Sequence, residues 1–434
     1  MTPAARLQAA MELLDLIDRE APAADMIMRA WFRSRRYAGS GDRRRIGALV
    51  FGVLRGRGLL DWRLEAAGAT PGNRLRVLLH SLLQDGPTAL PGGEVPHGIA
   101  PPDADEVAML HRAAALAEAG APLAARGAFP DFLTDDLIAA FGSEAAVEQA
   151  MAAQAAEVAA VDLRVNPRRT TIDAARTALA ERGIEAAPFG WTGHSLRLER
   201  RQDLSREPLL LSGAIEIQDA GSQLAAALLD ARPGLDVADV CAGAGGKTLA
   251  IGAAMDSQGT LLAMDIDPKR LGRLRARAER AGLTGIATRS HDLSGDIPAD
   301  LAGTFDRVLV DAPCSGTGTW RRQPEQRWRL TPAQLAAHTA RQRTILTHAL
   351  ALLRPGGQLL YVTCSVLPAE NETVVTEVLS QVQQVAVVDI ADQARNAGLS
   401  LPPGARTPAG FLRLSPHCHG VDGFFAAVLQ RNIS

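Results

Sequence analysis

Lysine is almost absent from this chain of 434 residues, because only Lys247 and Lys269 among its 46 basic residues are lysines. Arginine supplies the rest, and such an arginine and alanine bias is typical of a GC-rich genome. The number of arginines alone therefore says nothing about nucleic-acid binding. The formal net charge of -2 excludes a uniformly basic protein that coats a polyanion, but it leaves a locally basic face open.

Cysteine is also scarce, and long apolar runs are missing. Four cysteines, none of them in the first half of the chain, exclude a disulfide-stapled scaffold. No apolar run reaches the roughly 18 residues that span a membrane, and acids and arginines interrupt residues 1–20, unlike a secretory signal peptide. We therefore expect a soluble, cytoplasmic protein with reduced thiols and no membrane partner.

Hydrophobic periodicity divides the chain into three predicted parts. Apolar residues at helical spacing predict a helical region over 1–155, with a proline- and glycine-rich loop at 85–103. A strand, a helix near 172–182 and a further extended piece predict a small α+β module over 156–212. From 213 to 434 strands alternate with helices, which predicts an α/β fold with a doubly wound parallel sheet. Its predicted strands are 235–240, 261–265, 285–290, 307–311, 358–363 and 424–429, and its predicted helices are 246–255, 268–281 and 332–353, the last stopped by Arg-Pro-Gly-Gly at 354–357.

A glycine-rich loop at 241–247 follows the first strand of the third part and opens a helix. Glycines there let the backbone approach a ligand, and the helix start offers free N–H groups. One reading is a P-loop, since Gly246-Lys247-Thr248 matches its end, but the first glycine of that motif would fall on Cys241. Another reading is a nucleoside cofactor, with Asp265 placed to accept the ribose hydroxyls and His291-Asp292 near the base. A plain turn with two solvated acids is the structural alternative.

Two cysteines lie at the ends of neighbouring predicted strands, in Asp311-Ala312-Pro313-Cys314 and in Thr363-Cys364-Ser365. Ligands bind outside these carboxyl ends in a doubly wound sheet. One buried cysteine is usually a small apolar residue, but two beside a carboxylate suit methylation at carbon 5 of a pyrimidine. In that reaction a thiolate adds to carbon 6, a carboxyl group bonds N3 as charge develops, and a base removes the carbon-5 proton.

Taken together, these motifs resemble the Nop/Sun (Fmu-type) family of S-adenosylmethionine-dependent RNA cytosine-5 methyltransferases, in its bacterial rRNA branch. The resemblance covers roughly residues 160–434. Its segments are Leu163–Pro167, Gln218–Gln223, Cys241–Lys247, Asp311–Cys314, Thr363–Ser365 with Glu370–Glu372, and Asp422–Phe425. The family loop usually reads Cys-Ala-Ala-Pro-Gly-Gly-Lys, whereas Gly243-Ala244 stands here in place of Ala-Pro. Without proline's fixed φ we expect a somewhat more flexible loop and, at most, an altered cofactor affinity.

The resemblance implies a Rossmann-like class I methyltransferase domain preceded by a small α+β (RRM-like) module, with S-adenosylmethionine as cofactor. It implies Cys364 as the nucleophile, Asp311 as the group at N3 and Cys314 as the residue that assists release. DNA cytosine methyltransferases place their nucleophile at the position of Cys314, so the second cysteine favours RNA. The implied cofactor-binding residues are Cys241, Ala242, Gly243, Ala244, Gly245, Gly246, Lys247, Asp265, Arg270, Asp292 and Asp311.

Arginines crowd residues 33–57, where Asp42 is the only acid. They form either a solvated face in an arginine-biased protein or a patch that contacts RNA phosphates. Residues 42–57 also resemble the NusB-like helical RNA-binding domain of the rRNA branch. We expect a monomer that acts on RNA, with ribosomal RNA as the favoured substrate and transfer RNA as the alternative. The arginines are Arg33, Arg35, Arg36, Arg43, Arg44, Arg45, Arg55 and Arg57.

Two further stretches carry weaker signals. Trp320-Arg321-Arg322 and Arg327-Trp328 follow the Asp311 segment, where rings and guanidinium planes could stack an unpaired base, with packing anchors as the alternative. His417-Cys418-His419 resembles a metal tract but lacks a partner pair, so we predict no metal. The rival functions are a P-loop nucleotide hydrolase using Lys247 and Asp311, and a non-catalytic RNA-binding assembly factor.

Overall fold

The computed structural model describes residues 1–155, 159–200 and 202–433. The chain forms two compact units. The first, which we call the helical unit, comprises Met1–Glu157 with Trp320–Thr331, and the second, the sheet unit, comprises Val158–Thr319 with Pro332–Ser434. The predicted limit between 155 and 156 lies outside the described residues, and the three-part division stays a prediction.

The elements are numbered in chain order. Up to residue 155 they are α1 Pro3–Arg19, α2 Ala24–Ser34, α3 Ser40–Ala66, α4 Asn73–Asp85, α5 Ala104–Ala115, α6 Leu123–Arg126, α7 Thr134–Phe141 and α8 Glu144–Gln154. After residue 158 the helices are α9 Ile172–Ala180, α10 Pro208–Leu211, α11 Ala220–Ala227, α12 Gly246–Ala254, α13 Pro268–Arg280, α14 Glu325–Arg329, α15 Pro332–Ala351, α16 Glu372–Gln381, α17 Ile390–Asn396 and α18 Pro416–His419. The strands are β1 Asp162–Val165, β2 Ala186–Pro188, β3 Ser195–Leu198, β4 Ile215–Ile217, β5 Asp236–Asp239, β6 Thr260–Asp265, β7 Ile286–Ser290, β8 Phe305–Asp311, β9 Leu353–Thr363, β10 Val385–Val388, β11 Leu412–Leu414 and β12 Phe424–Arg431.

The helical unit is built on α1, α3 and α4, whose apolar faces share one core that includes Leu13, Val50 and Leu78. Its helices begin at residues that suit a helix start. The Thr2 side chain accepts a hydrogen bond from Ala5 N at the start of α1. The side chains of Asp103 and Ser143 cap α5 and α8, respectively, in the same way. The predicted loop at 85–103 separates α4 from α5 and holds only the short 3-10 turn Pro87–Ala89 among its described residues.

A segment from far along the chain completes this unit. The chain enters the helical unit a second time over Trp320–Thr331, which we call the return segment. Trp320 and Arg327 are fully buried in it, and Arg327 lies over the Trp320 ring and donates to the carbonyl oxygens of Ala128 (2.9 Å) and Gln154 (3.3 Å). The prediction that these two side chains stack an unpaired base is wrong, because both are enclosed by protein.

Helix α14, inside the return segment, caps two helices of the unit. Glu325 Oε1 accepts from Ala24 N at the start of α2 (3.0 Å), so a carboxylate lies at a helix N-terminus. Arg329 lies at the end of α1, where a cation complements the helix dipole. Its guanidinium donates to the carbonyl oxygens of Ile17, Glu20, Ala21 and Pro22.

The smaller sheet of the sheet unit has the order β2-β3-β1-β4, with antiparallel neighbours throughout. Helices α9 and α10 connect it in the sequence β1-α9-β2-β3-α10-β4, which is the ferredoxin-like arrangement. The predicted strand and helix of the small module are present as β1 and α9. Strand β4, at Ile215–Ile217, lies beyond the predicted limit at residue 212.

The larger sheet has the order β10-β12-β9-β8-β5-β6-β7, with β11 paired to β12. Strands β7, β6, β5, β8 and β9 are parallel, whereas β12 is antiparallel to β9. The predicted parallel strands are therefore confirmed, but β10 and β11 were missed. The predicted Arg-Pro-Gly-Gly helix stop lies inside β9, beside an irregularity in its pairing with β8, and Gly356 there has a φ of +79°.

The order of this sheet reverses between β5 and β8, so the loops after these strands diverge and leave a crevice at their carboxyl ends. Buried apolar residues cover both faces of the sheet. In the described part of the chain, no helix combines the length and the apolar character needed to cross a membrane.

Candidate active site

The glycine-rich loop after β5 lies against α13. Gly245 has a φ of +91°, and a Cβ there would lie 2.6 Å from Leu274 Cγ, so only glycine fits. Gly243 also has a positive φ, +54°, but a Cβ there would meet nothing within 4 Å. The loop is thus packed on one side and borders open space on the other, as a backbone that approaches a ligand requires.

Asp265 ends β6 with a carboxylate that two backbone amides orient. Its Oδ2 accepts from Gly243 N at 2.9 Å, its Oδ1 accepts from Asp267 N at 2.8 Å, and the residue is buried. Each oxygen keeps a lone pair for a further donor. The carboxylate therefore has a fixed direction beside the loop and can accept two hydroxyl groups.

Asp292 and Arg270 lie nearer to solvent. Asp292 Oδ1 accepts from Ser294 Oγ at 2.6 Å and from Arg341 Nη2 at 3.2 Å, and these contacts, the Ser294 hydroxyl first, lower the pKa of Asp292 below its ordinary value. Arg270 is an exposed residue of the first turn of α13 and pairs with Asp267 at 3.6 Å. Asp292 thus follows β7 as an ionised group, whereas Arg270 is held mainly by a neighbour on its own helix.

The two cysteines after β8 and β9 come together at the crevice. Cys314 Sγ and Cys364 Sγ are 3.4 Å apart, within hydrogen-bond range for sulfur. The hydrogen bond to Cys364 and burial raise the pKa of Cys314 well above its ordinary value. Either sulfur can donate in this contact, and Cys314, which keeps its proton, is able to serve as the donor.

Lys247 lies against Asp311 at the same place. Its Nζ donates to Asp311 Oδ2 at 2.6 Å, and the ammonium is buried 5.6 Å from the Phe424 ring centroid. Burial lowers the pKa of Lys247, but the charge and hydrogen bond of Asp311 outweigh it, so that the pKa is raised overall. Lys247 was predicted as a cofactor ligand or, in the rival function, as a residue of a P-loop hydrolase that also used Asp311, but its ion pair with that carboxylate at the end of β8 was not foreseen.

Asp239, at the end of β5, was missed by the sequence analysis. It is fully buried, its Oδ2 accepts from Thr248 Oγ1 at 2.7 Å, and its Oδ1 has no hydrogen-bond partner in the described part of the chain. Burial raises the pKa of Asp239 to about 7. Its position directly before the loop, at a strand end like Asp265 and Asp311, was the available signal.

The remaining two cysteines lie outside the pair. Cys241 packs against the apolar core of the sheet, and burial raises the pKa of its thiol. Cys418 is exposed in α18, where His419 Nδ1 accepts from Ser415 N at 3.1 Å. Within residues 1–155, 159–200 and 202–433, no three His, Cys, Asp or Glu side chains are grouped so that they could hold a metal ion.

The predicted arginine patch of the helical unit divides into two sets. The first set is engaged within the unit: Arg57 pairs with Asp18 at 2.8 Å, and the other three members lie over aromatic rings, namely Arg35 over Trp31, Arg43 over Phe32 and Arg55 over Phe51. The second set is exposed and has no ion-pair partner among the described residues. Its members are Arg33, Arg36, Arg44 and Arg45.

The strand order, the glycine-rich loop after β5 and the carboxylate after β6 together define a Rossmann-like class I methyltransferase fold. The family described as 16S rRNA methyltransferase RsmB/F matches residues 226–430, and the RsmF/B-like ferredoxin-like domain matches residues 129–205. A probable ribosomal RNA small subunit methyltransferase B from Synechocystis is 31% identical over 417 residues, 90% of this chain and 91% of that protein. The chain belongs to the RsmB/F family of methyltransferases.

Solved structures agree with this assignment. The crystal structure of PH0851 covers 99% of both chains with a TM-score of 0.78, at 22% identity, which shows the fold. A methyltransferase homolog protein from Pyrococcus horikoshii is 27% identical with a TM-score of 0.60, over 73% of this chain and 100% of that one.

The cofactor of this family of enzymes is S-adenosylmethionine, and the residues present fit it. The loop backbone at Gly243 borders open space, and the Asp265 carboxylate is oriented beside it with lone pairs free for a ribose. The first turn of α12, which begins at Gly246, adds unpaired amides. Cys241–Lys247 and Asp265 would hold the cofactor, with Asp292 beyond them.

Proposed function

We propose that this protein transfers a methyl group from S-adenosylmethionine to carbon 5 of a cytosine in 16S ribosomal RNA through a covalent adduct on Cys364. The observation that carries the proposal is the pair of thiols 3.4 Å apart, with the pKa of Cys314 raised by the hydrogen bond to Cys364 and by burial. A protonated Cys314 thiol at this distance can donate a hydrogen bond to Cys364 Sγ, and the thiolate is the form in which a cysteine attacks carbon 6.

Addition is the first step. Cys364 Sγ forms a bond to carbon 6, and the electrons of the double bond between carbons 5 and 6 shift to the bond between carbons 5 and 4, while those of the bond between carbon 4 and N3 move to N3. The developing charge on N3 is neutralised by the proton that Asp311 Oδ2 and the Lys247 ammonium share at 2.6 Å, which passes to N3 through Asp311. Buried Lys247 holds Asp311 in place while the charge changes.

Methyl transfer and release follow. When bound, S-adenosylmethionine supplies an electrophilic methyl group to the nucleophilic carbon 5. A base then removes the carbon-5 proton, the double bond between carbons 5 and 6 re-forms, and the bond between carbon 6 and sulfur breaks with its electrons returning to Cys364. The N3 proton returns to the pair of Asp311 and Lys247. The Cys314 thiol assists by donating its hydrogen bond to the departing sulfur, from the distance that separates the two thiols in the resting site.

Ribosomal RNA is the substrate that the family description and the Synechocystis relative support. Exposed Arg33, Arg36, Arg44 and Arg45 of the helical unit suit contacts to phosphate groups, which fix an RNA without reading its sequence. The target cytosine must leave any base stack to reach Cys364.

The nucleotide hydrolase is disfavoured by the contacts of the loop. A P-loop needs a free lysine for phosphate and a free hydroxyl for magnesium, but Lys247 is bonded to Asp311 and Thr248 to Asp239. A non-catalytic assembly factor would not need the proton donor beside Cys364.

The assignment of the nucleophile is tested by trapping on 5-fluorocytosine-substituted 16S rRNA, where fluorine blocks the release step. Wild type should form an adduct that survives denaturing electrophoresis, Cys364→Ala should form none, and Cys314→Ala should still form it. An adduct that persists in Cys364→Ala would overturn the assignment. Labelled cofactor with total RNA tests the activity itself, and no incorporation would favour the assembly factor.

The position of the target is found by bisulfite sequencing of RNA from a strain that lacks the gene. We expect one cytosine of 16S rRNA to lose its protection from conversion. Loss of protection in transfer RNA alone would show that the substrate assignment is wrong while leaving the chemistry intact.

A further inference from the structure

Two adjacent residues after β9, Glu370 and Asn371, contact the segments that carry the two cysteines. Both are fully buried, at the end of the 3-10 turn Pro368–Glu370 and directly before α16. They belong to the motif Glu-Asn-Glu, to which the proposed mechanism gives no role. Buried polar side chains require hydrogen-bond partners. Glu370 contacts the segment around Cys314, and Asn371 contacts the segment around Cys364.

Glu370 holds the segment Pro313–Ser315, which we call the Cys314 turn. Its Oε1 accepts from Ser315 N at 2.8 Å, and its Oε2 accepts from the Ser315 hydroxyl. Buried Gln342, from α15, donates both to Glu370 Oε1 at 3.1 Å and to the carbonyl oxygen of Pro313 at 2.9 Å. The backbone on both sides of the cysteine is thus tied to one carboxylate and its amide partner.

Asn371 holds the segment Thr363–Ser365, which we call the Cys364 turn. The Thr363 hydroxyl donates to Asn371 Oδ1 at 2.5 Å, and Asn371 Nδ2 donates to the carbonyl oxygen of Ser365 at 3.0 Å. Again the contacts lie on both sides of the cysteine. Because Glu370 and Asn371 are adjacent in the chain, one short piece of backbone anchors both turns.

We infer that Glu370 and Asn371 are positioning residues that set the distance between the two thiols, and that each governs a different step. Asn371 fixes Cys364 for attack on carbon 6, when the bond from sulfur to carbon forms. Glu370 fixes Cys314 for release, when that bond breaks and the returning electron pair on Cys364 Sγ takes the Cys314 hydrogen bond. This inference rests on the proposed function.

The test separates formation of the adduct from its release, on unmodified 16S rRNA with S-adenosylmethionine in excess. In Glu370→Gln, single-turnover methyl transfer should stay close to wild type, whereas steady-state turnover should fall by about tenfold or more and the RNA adduct should accumulate. In Asn371→Asp, which keeps the acceptor for Thr363 but loses the donor to Ser365, single-turnover transfer should fall by about tenfold or more without accumulation.

Glu372→Gln is the matched control, because Glu372 is the next acid in the motif but pairs with Arg413 instead of either turn. It should match wild type in both measurements. Ser315→Ala removes the hydroxyl contact to Glu370 and a longer one, 3.5 Å, to the Ser365 hydroxyl, but keeps the bond from Ser315 N to Glu370. It should accumulate adduct in the same direction as Glu370→Gln but to a smaller extent. Ser315→Ala decides the question for Glu370 if Glu370→Gln does not fold.

Equal effects of Glu370→Gln and Asn371→Asp on both steps, or no accumulation in Glu370→Gln and Ser315→Ala, would overturn the inference and leave the pair as scaffold. Failure of the proposed function is recognised separately, by an adduct that persists in Cys364→Ala.

Discussion

The return segment of the helical unit and the crevice of the sheet unit use buried charged side chains for different purposes. In the helical unit, Glu325 and Arg327 are buried against backbone groups, the amide that starts α2 and the carbonyl oxygens of Ala128 and Gln154. In the sheet unit, the buried Lys247 meets another side chain, Asp311, at the edge of the crevice. Glu325 and Arg327 thus stabilise architecture, whereas Lys247, bonded to a partly exposed carboxylate at the crevice, is available for chemistry.

The difference follows from what each partner can do. A backbone carbonyl or amide does not titrate. Glu325 therefore serves as a helix cap, and Arg327 links two backbone carbonyl groups by hydrogen bonds. A carboxylate that keeps one side open to a ligand can exchange protons and change its charge. We therefore expect substitution of the buried charges of the return segment to change stability, and substitution of the buried charges at the crevice to change rates.

The largest effect is expected from Lys247→Met, which removes the ammonium beside Asp311 and keeps the length of the side chain. Methyl transfer should fall by about 10²–10³-fold, since one preorganised donor at a developing charge is lost. Single-turnover kinetics with labelled cofactor measure it, and urea unfolding should change little. A rate within a few-fold of wild type would remove Lys247 from the chemistry.

Arg327→Met should lower stability and leave the rate of methyl transfer unchanged, the reverse of Lys247→Met. It leaves the carbonyl oxygens of Ala128 and Gln154 without their donor in a buried site, and should lower the free energy of unfolding by about 2–4 kcal/mol. Urea unfolding measures this loss, with exposed Arg44→Met as the control, expected within about 0.5 kcal/mol of wild type. If folded Arg327→Met lost its single-turnover rate, the division between the units would fail.

Stability should depend on pH in opposite directions in the two units. Burial raises the pKa of Asp239 to about 7, so folding favours its protonated form, and its contribution is lost as pH rises from about 4 to 7. Burial lowers the pKa of His80 in the helical unit, so its contribution is lost as pH falls below about 6.5.

The measurement is urea unfolding of wild type, Asp239→Asn and His80→Gln at pH 5 and pH 8. Relative to wild type, Asp239→Asn should gain more stability at pH 8 than at pH 5, by about 2–3 kcal/mol, and His80→Gln should gain more stability at pH 5 than at pH 8. Differences that do not vary with pH would show that neither group changes its protonation on folding.

The smallest effect is expected from the double variant Arg44→Ser, Arg45→Ser. Both side chains are exposed, so stability should be unchanged, but RNA binding should lose about one unit of its salt-dependence slope for each phosphate contact removed. Titrations of a 16S rRNA fragment at several salt concentrations measure the slope, and Arg395→Ser in the sheet unit serves as the control. An unchanged slope would mark the patch as a solvated face.

Much of the sheet unit could be predicted because its signals are local. Buried parallel strands are continuous apolar runs, and the position of a loop after a strand determines where its residues lie, so Cys314 and Cys364 could be placed at one edge from the sequence alone. Strand β10 was missed because both faces of Val385–Val388 are partly exposed at the sheet's edge, and such a short run carries no distinct pattern.

What the sequence could not indicate depended on distant partners. Trp320 and Arg327 look like residues that bind a base, and only the fold shows that they are enclosed among helices encoded more than 150 residues earlier. Likewise the motif Glu-Asn-Glu can be read from the sequence. That Glu370 contacts the Cys314 turn and Asn371 the Cys364 turn depends on where β8 and β9 end in the fold.

The return segment also bears on synthesis of the protein. Helices α1 and α2 leave the ribosome first, but the side chains that cap their ends, Arg329 and Glu325, follow about 300 residues later. Translation proceeds at about 5–20 residues per second, so on the order of ten seconds pass between synthesis of α8 and synthesis of the return segment. The helical unit is therefore completed only after β8 and the Cys314 turn have been translated, so a nascent chain carries α1 and α2 without their capping side chains until most of the protein has been made.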